Sequence, residues 1–207
     1  LLAERIDALL PQTQCQRCGY PACRPYAEAV AEGSAGINQC PPGGDEGIVA
    51  LSAITGRPVT PMNPANGAPI TQSFVAVIDE PVCIGCTKCI QVCPTDAILG
   101  ASQLMHSVIA AECSGCELCI PACPVDCIEM VATPQLSMPA RAAQFRRRYD
   151  QRERRLARIA AQRRSHHEQR KAMLKARAAA TDPSEAPVLD PVARALAAAR
   201  AKAAKPQ

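Results

Sequence analysis

The chain has 207 residues with no Trp, two Phe and three Tyr, and a formal charge of +4. Its hydrophobic fraction of 48% is made largely of Ala and Cys, which bury little area apiece, so a core built from it needs staples such as metal sites. Thirteen cysteines, an odd number, argue against a closed disulfide framework, and no run approaches the roughly 20 apolar residues of a membrane span.

The opening LLAERIDALL is interrupted by Glu4, Arg5 and Asp7 and is no secretory leader, so reduced thiols in a cytoplasmic compartment are expected. Charge is split along the chain. Residues 1–133 sum to −8 and hold every cysteine, whereas residues 134–207 sum to +12.

Leu2, Ile6, Leu9 and Leu10 recur at helical spacing ahead of Pro11, which predicts a short amphipathic helix. A second helix is expected over Ala22 to Glu32, ending at Gly33, and a third from Ile48 to Thr55, ending at Gly56. Between them stand Cys15, Cys18, Cys23 and Cys40, the right count for one cubane, with turn residues in Cys-Gly-Tyr-Pro and Cys-Pro-Pro-Gly-Gly. Spacing alone leaves a four-iron cluster first and zinc second at this site. Residues 57–73, with four prolines and two Asn, read as a linker.

An internal repeat follows. CIGCTKCIQVCPTDAI at 83–98 aligns without a gap with CSGCELCIPACPVDCI at 113–128, an offset of 30 residues. Short β-rich runs precede each copy, so each half is expected to run strand, cluster loop, short helix, strand. Three cysteines at i, i+3 and i+6 can wrap three corners of an iron–sulfur cube. The following helix carries the fourth about one turn further on and away from its own loop. In bacterial two-cluster ferredoxins that fourth Cys ligates the other cluster. The assignment is therefore Cys83, Cys86 and Cys89 with Cys123 for one [4Fe–4S] cluster, and Cys113, Cys116 and Cys119 with Cys93 for another. Zinc prefers two separated cysteine pairs and fits these runs poorly.

Gly85 and Gly115 are expected to let backbone approach the inorganic sulfurs, and Pro94 and Pro124 to stop the helices. Cys127 takes the place of Ala97 in the sister copy and reads as a packing position. Ile90, Ile98, Ile120 and Ile128 should pack around the cubes. His106, in a predicted strand, and His166 and His167, in the basic segment, are not expected to be ligands, since twelve cysteines complete three sites.

QCQRCGYPACRPYAEAV and INQCPPGG, followed by VAVIDEPVCIGCTKCIQVCPTDAI and its repeat, resemble the B subunit of the Rnf/Rsx electron transport complex over about residues 3–131. The resemblance implies a separate four-iron domain around Cys15, Cys18, Cys23 and Cys40, and so three [4Fe–4S] clusters in all. It further implies a complex in the bacterial inner membrane that couples electron flow between ferredoxin and NAD to cation movement, and in some bacteria helps keep a redox-sensing regulator reduced. The family usually starts with a membrane-spanning helix, and this chain begins just after the point where that helix would end. A peripheral position on the cytoplasmic side of the inner membrane is the corresponding expectation, with no transmembrane segment in this chain.

From about Ala140 to Ala180 the chain is rich in Arg, Ala and Gln and lacks Gly and Pro, predicting one long helix. Phe145, Tyr149, Leu156, Ile159 and Leu174 form a broken apolar seam, and Pro183, Pro187 and Pro191 precede a last short Ala-rich helix. This segment lies outside the family pattern. A solvated charged tail, contact with anionic lipid, docking on an acidic partner or on the chain's own acidic head, and nucleic-acid binding, ranked last, all remain open for it.

The expected architecture is α+β: an N-terminal [4Fe–4S] domain over 1–56, a linker over 57–73, a two-cluster ferredoxin-like domain over 74–133, and a basic helical or partly disordered tail over 134–207. With no acid, base or substrate pocket in evidence, the expected function is stepwise one-electron relay through three clusters, not catalysis by this chain alone. Expected partners are the other subunits of a membrane complex and a soluble ferredoxin or other redox protein. A freestanding soluble ferredoxin, or a nucleic-acid-binding protein with structural clusters, are the alternatives.

Overall fold

The computed structural model describes residues 1–134, 138–180, 195–196 and 199–200. Residues Leu1–Leu156 form one compact unit, and Ala157 onward falls outside it.

The unit opens with α1 (Leu2–Leu9), whose Ile6 faces inward, and the chain turns at Pro11. Helix α2 (Cys23–Glu32) ends at Gly33, which adopts φ +86°, the left-handed conformation that stops a helix without Cβ strain. Helix α3 (Gly44–Thr55) starts four residues before the expected Ile48, because a 3₁₀ turn over Pro41–Gly43 feeds directly into it. Ile6, Leu10, Tyr26, Val30, Ile48 and Leu51 form the core of this part. The hydroxyl of Tyr26 donates to the Gly36 carbonyl at 2.8 Å.

Residues 57–73 carry little regular structure, yet they are tied down by hydrogen bonds. Arg57 donates to the carbonyls of Ala35 and Val30 at 2.7 and 2.8 Å. Asn66 reaches Arg17 O at 2.9 Å, and Ile70 N–H reaches Pro41 O at 3.0 Å.

The duplicated part builds β1 (Ser73–Ile78), α4 (Lys88–Val92), β2 (Ile98–Leu99), β3 (Ser107–Val108) and β4 (Ile128–Thr133). Strand positions follow the sequence expectation, and the pairing ties the halves together. First pairs with last, β1 antiparallel to β4 from Ser73↔Thr133 to Ile78↔Ile128, and β2 pairs antiparallel with β3. Positive φ recurs at the 30-residue offset, at Gly85 and Gly115, Thr87 and Glu117, and Asp96 and Asp126.

One local expectation is corrected, and Gly85 and Gly115 gain a further reason. The second copy has turns where α4 stands in the first. In α4 the Gln91 N–H bonds to the Thr87 carbonyl at 3.2 Å, and the counterpart of Gln91 is Pro121, which has no N–H to give. Gly85 and Gly115 are needed for protein backbone contact. A Cβ would lie 2.6 Å from Leu104 N in one case and 2.7 Å from Phe74 O in the other.

Helix α5 (Met138–Ala180) matches the predicted long helix. Its first turns lie on the acidic part: Arg141, Ala142 and Phe145 are buried, while Ala161–Arg177 are exposed. The predicted break at Pro183, Pro187 and Pro191 lies outside the described residues. Beyond it, 195–196 and 199–200 are helical. Among the described residues, no helix is long and apolar enough to cross a membrane.

Candidate iron–sulfur sites

Two gaps open in the duplicated part, and cysteines of both copies meet at each. Cys83, Cys86, Cys89 and Cys123 line the first, together with Ile78, Ile84, His106, Val125, Cys127 and Ile128. Cys113, Cys116, Cys119 and Cys93 line the second, with Ala76, Thr95, Ala97, Ile98, Val108 and Ser114 among its walls. These are the two crossed sets drawn from the spacing. Among the described residues, no three His, Cys, Asp or Glu side chains close in tightly enough to hold a single metal ion.

Backbone donors already point at several sulfurs. Ala97 N–H donates to Cys93 Sγ at 3.2 Å and Ala76 N–H to Cys113 Sγ at 3.4 Å. Burial pushes the thiols of Cys116 and Cys119 up to about 11 and about 12, and raises Cys89 as well. In so apolar a wall a thiol keeps its proton unless a cation compensates the charge, which is what iron supplies on binding. Cys123 goes the other way. Burial acts upward on it, but N–H groups of Val125, Cys127 and Asp126 and the Cys127 side chain outweigh that and lower its pKa.

Cys15, Cys18, Cys23 and Cys40 converge on a third site. Burial drives Cys23 up to about 12, with the negative charge of Cys15 and Cys18 adding to it, and drives Cys40 up with Cys23, Cys15 and Cys18 adding in turn. The loop that positions them alternates positive φ at Gln12, Gln14 and Gln16. A buried polar chain holds that loop. Gln12 donates to Asp7 Oδ1 at 2.9 Å, Gln14 donates to Gln12 Oε1 at 2.9 Å, and the Cys23 N–H donates to Gln14 Oε1 at 2.8 Å.

The arginines of α5 complete the surroundings. Arg141 donates to the Cys113 carbonyl at 2.9 Å and stacks its guanidinium 4.8 Å from the Phe145 ring centre. Arg146 pairs with the buried Asp7 at 2.8 Å. Arg148 donates to the carbonyls of Thr95 and Asp96, both at 2.9 Å, and Arg155 grips the Asp96 carboxylate at 2.7 and 2.8 Å. Of the readings left open for the basic segment, its first turns take up docking on the chain's own acidic head.

Sequence reasoning missed several residues. Asp7, Gln12, Gln14 and the α5 arginines each hold a cysteine loop by hydrogen bonds. The Gln-x-Gln-Cys-Gln run at 12–16 was the signal for two of them. His106 sits just ahead of β3, fully buried, with Nδ1 3.3 Å from Cys89 Sγ. Cys127 is buried as expected of a packing position, and its Sγ also lies 3.5 Å from Cys123 Sγ. Burial and its contact with Cys123 push the Cys127 thiol up to about 12. His166 and His167 are exposed on α5, and Ile98 and Ile128 pack at the gaps as expected, with Ile90 and Ile120 behind them.

Comparison with known proteins agrees with this geometry. A family model for a "4Fe-4S dicluster domain" matches residues 76–130, and one described as "Putative Fe-S cluster" matches residues 10–42. The chain is 62% identical over 111 residues to the B subunit of the ion-translocating oxidoreductase complex of Thiobacillus denitrificans, covering 54% of this chain and 58% of that protein. Its counterpart in Alkalilimnicola ehrlichii is 58% identical over 130 residues, 63% of this chain and 70% of the relative. For Pseudomonas aeruginosa the identity is 61% over 133 residues, 64% of this chain and 69% of the relative. The chain thus spans between somewhat over half and about two thirds of these relatives' length. With two iron–sulfur family matches laid over the cysteine-lined sites and identities near 60%, the chain belongs to the family of the ion-translocating oxidoreductase complex's B subunit, the iron–sulfur subunit of the Rnf/Rsx type.

Proposed function

We propose that the chain relays single electrons through three [4Fe–4S] clusters as the peripheral subunit of a membrane-associated Rnf/Rsx-type complex. The ligand sets are Cys15, Cys18, Cys23 and Cys40; Cys83, Cys86, Cys89 and Cys123; and Cys113, Cys116, Cys119 and Cys93. The observation that carries the reading is the meeting of a fourth cysteine from each copy with three from the other at each gap. Each cluster, when bound, takes up and gives back one electron. The chain's own residues exclude water with Ile98 and Ile128, hold the Cys93 and Cys113 sulfurs with backbone N–H groups, and fix the loops through α5.

The Cys113 loop touches the N-terminal loop, with Ser114 donating to Thr13 O at 3.0 Å and Arg17 paired with Glu117 at 2.6 Å. That contact supports the Cys113 site as the middle one of the three. The domain division is proposed as 1–56, 57–73, 74–133 and 134–207, with the first turns of the last segment serving the middle site. The partners are the complex's other subunits and a soluble ferredoxin or similar carrier, at the cytoplasmic face of the inner membrane. The exposed basic stretch of α5 suits an anionic membrane surface.

Anaerobic iron and sulfide analysis with EPR should find about twelve of each per chain. Cys93→Ser should alter the signal of the site built on Cys113, not the one built on Cys83, and the opposite result would undo the crossed assignment. Recovery of the chain free of membranes and of other subunits, from cells expressing the whole complex, would favour a freestanding carrier instead.

A further inference from the structure

We propose that His106 and Cys127 are positioning residues of the Cys83 site, donating to its ligand sulfurs and raising the reduction potential of the centre held there and of that centre alone. The proposal rests on the ligand assignment above.

The internal repeat makes the comparison direct. The ten side chains lining the first gap map, at the offset of 30, onto ten of the twelve lining the second. The four cysteines recur, and Ile128 matches Ile98. His106 stands where the second gap has Ala76, and Cys127 where it has Ala97. Two alanines, which reach the ligands Cys113 and Cys93 only through backbone N–H groups, are thus replaced by two hydrogen-bonding side chains in the other site, and each of these reaches a ligand. His106 Nδ1 is 3.3 Å from Cys89 Sγ, and Cys127 Sγ is 3.5 Å from Cys123 Sγ.

The direction of donation follows from what surrounds each group. His106 is 1% exposed and its Nε2 has no partner. Placing the single ring proton on Nε2 would bury an orphaned donor and aim the Nδ1 lone pair at a thiolate. Placing it on Nδ1 makes the bond and leaves only an acceptor unmet, the cheaper arrangement. Room for the ring is built in: a Cβ on Gly100 would fall 2.1 Å from His106 Cδ2. Cys127, which ligates nothing in this assignment, keeps its S–H for Cys123.

The second gap has polar residues of its own, Thr95 and Ser114, where the first has Val125 and Ile84. Each hydroxyl carries one hydrogen, and a carbonyl takes the shorter bond of each. Thr95 donates to Glu112 O at 2.8 Å and Ser114 to Thr13 O at 3.0 Å. Thr95 Oγ1 also stands 3.8 Å from Cys93 Sγ and the Ser114 side chain also bonds Cys116, so these hydroxyls are shared with carbonyls, unlike the His106 N–H and the Cys127 S–H. Donors to ligand sulfur disperse the charge of the reduced form and raise the potential. One electron enters from the external reductant, no proton moves, and both donors keep their hydrogens.

The test is an EPR-monitored redox titration of the full chain with all clusters in place, under dithionite without oxygen. Cys127→Ala and His106→Leu should each retain iron and sulfide and lower one of the three transitions. A tenfold change in that centre's reduction equilibrium, about 59 mV for one electron, is the expected scale. His106→Gln, which restores an N–H, should recover part of the shift, and Ala97→Cys should raise the other repeat's centre instead. Full iron content with no shift, or an equal shift of all three transitions, would overturn the proposal. Loss of one centre in Cys127→Ala would make Cys127 a ligand and overturn it too. A wild-type chain lacking a four-iron signal at the Cys83 site would sink the ligand assignment itself.

Discussion

At the scale of single residues, the sites depend on a few positions that tolerate no ordinary side chain. Gly115 combines φ +68° with a backbone oxygen where its Cβ would go. Gly115→Ala should therefore cost about 2 kcal/mol, read as a lower melting temperature of the holo protein, because the backbone must move or the contact with Phe74 must break. Asp7 is the opposite case, a buried charge whose partners are all supplied. Arg146→Met leaves its carboxylate with Gln12 alone. A loss of about 3 kcal/mol is expected, again by thermal melting. The N-terminal centre should also bleach faster in air, since the same chain of side chains ends on the Cys23 N–H.

Among the elements, α5 changes most between sequence and structure. Its length was readable from uninterrupted helix formers, but the placement of its arginines was not. Arg141, Arg148 and Arg155 look in sequence like any solvated charge run, and only the fold shows the carbonyls of residues 95, 96 and 113 ending against the first two and the Asp96 carboxylate against the third. The cysteine sites were legible because ligand spacing is a local constraint repeated at a fixed offset. Asp7 and His106 were not, since their burial and partners come from other segments, Arg146 for Asp7 and Cys89 for His106. A chain ending after Leu156 should keep the iron content of the full protein, whereas one ending before Met138 should lose iron at the N-terminal and Cys113 sites first. Iron per chain and EPR intensity, measured after equal exposure to a chelator, decide between these outcomes.

For the whole molecule, stability is divided unevenly. Five of the eleven buried residues in the core of the duplicated part are cysteines, whereas the N-terminal core holds Tyr26, Leu51 and three isoleucines. Stripping the iron should thus melt the former and spare much of the latter. Amide exchange would show it as rapid loss of protection in β1 and β4 with slower loss in α2 and α3. The pairing of Ser73 with Thr133 has a topological consequence. The chain enters and leaves the duplicated part at one edge, so that part is grafted like an insert between the N-terminal helices and α5, which explains how Arg146 can come back to Asp7 across 139 positions of sequence. A tight turn joining those two strand ends should let the remaining pieces meet without the insert.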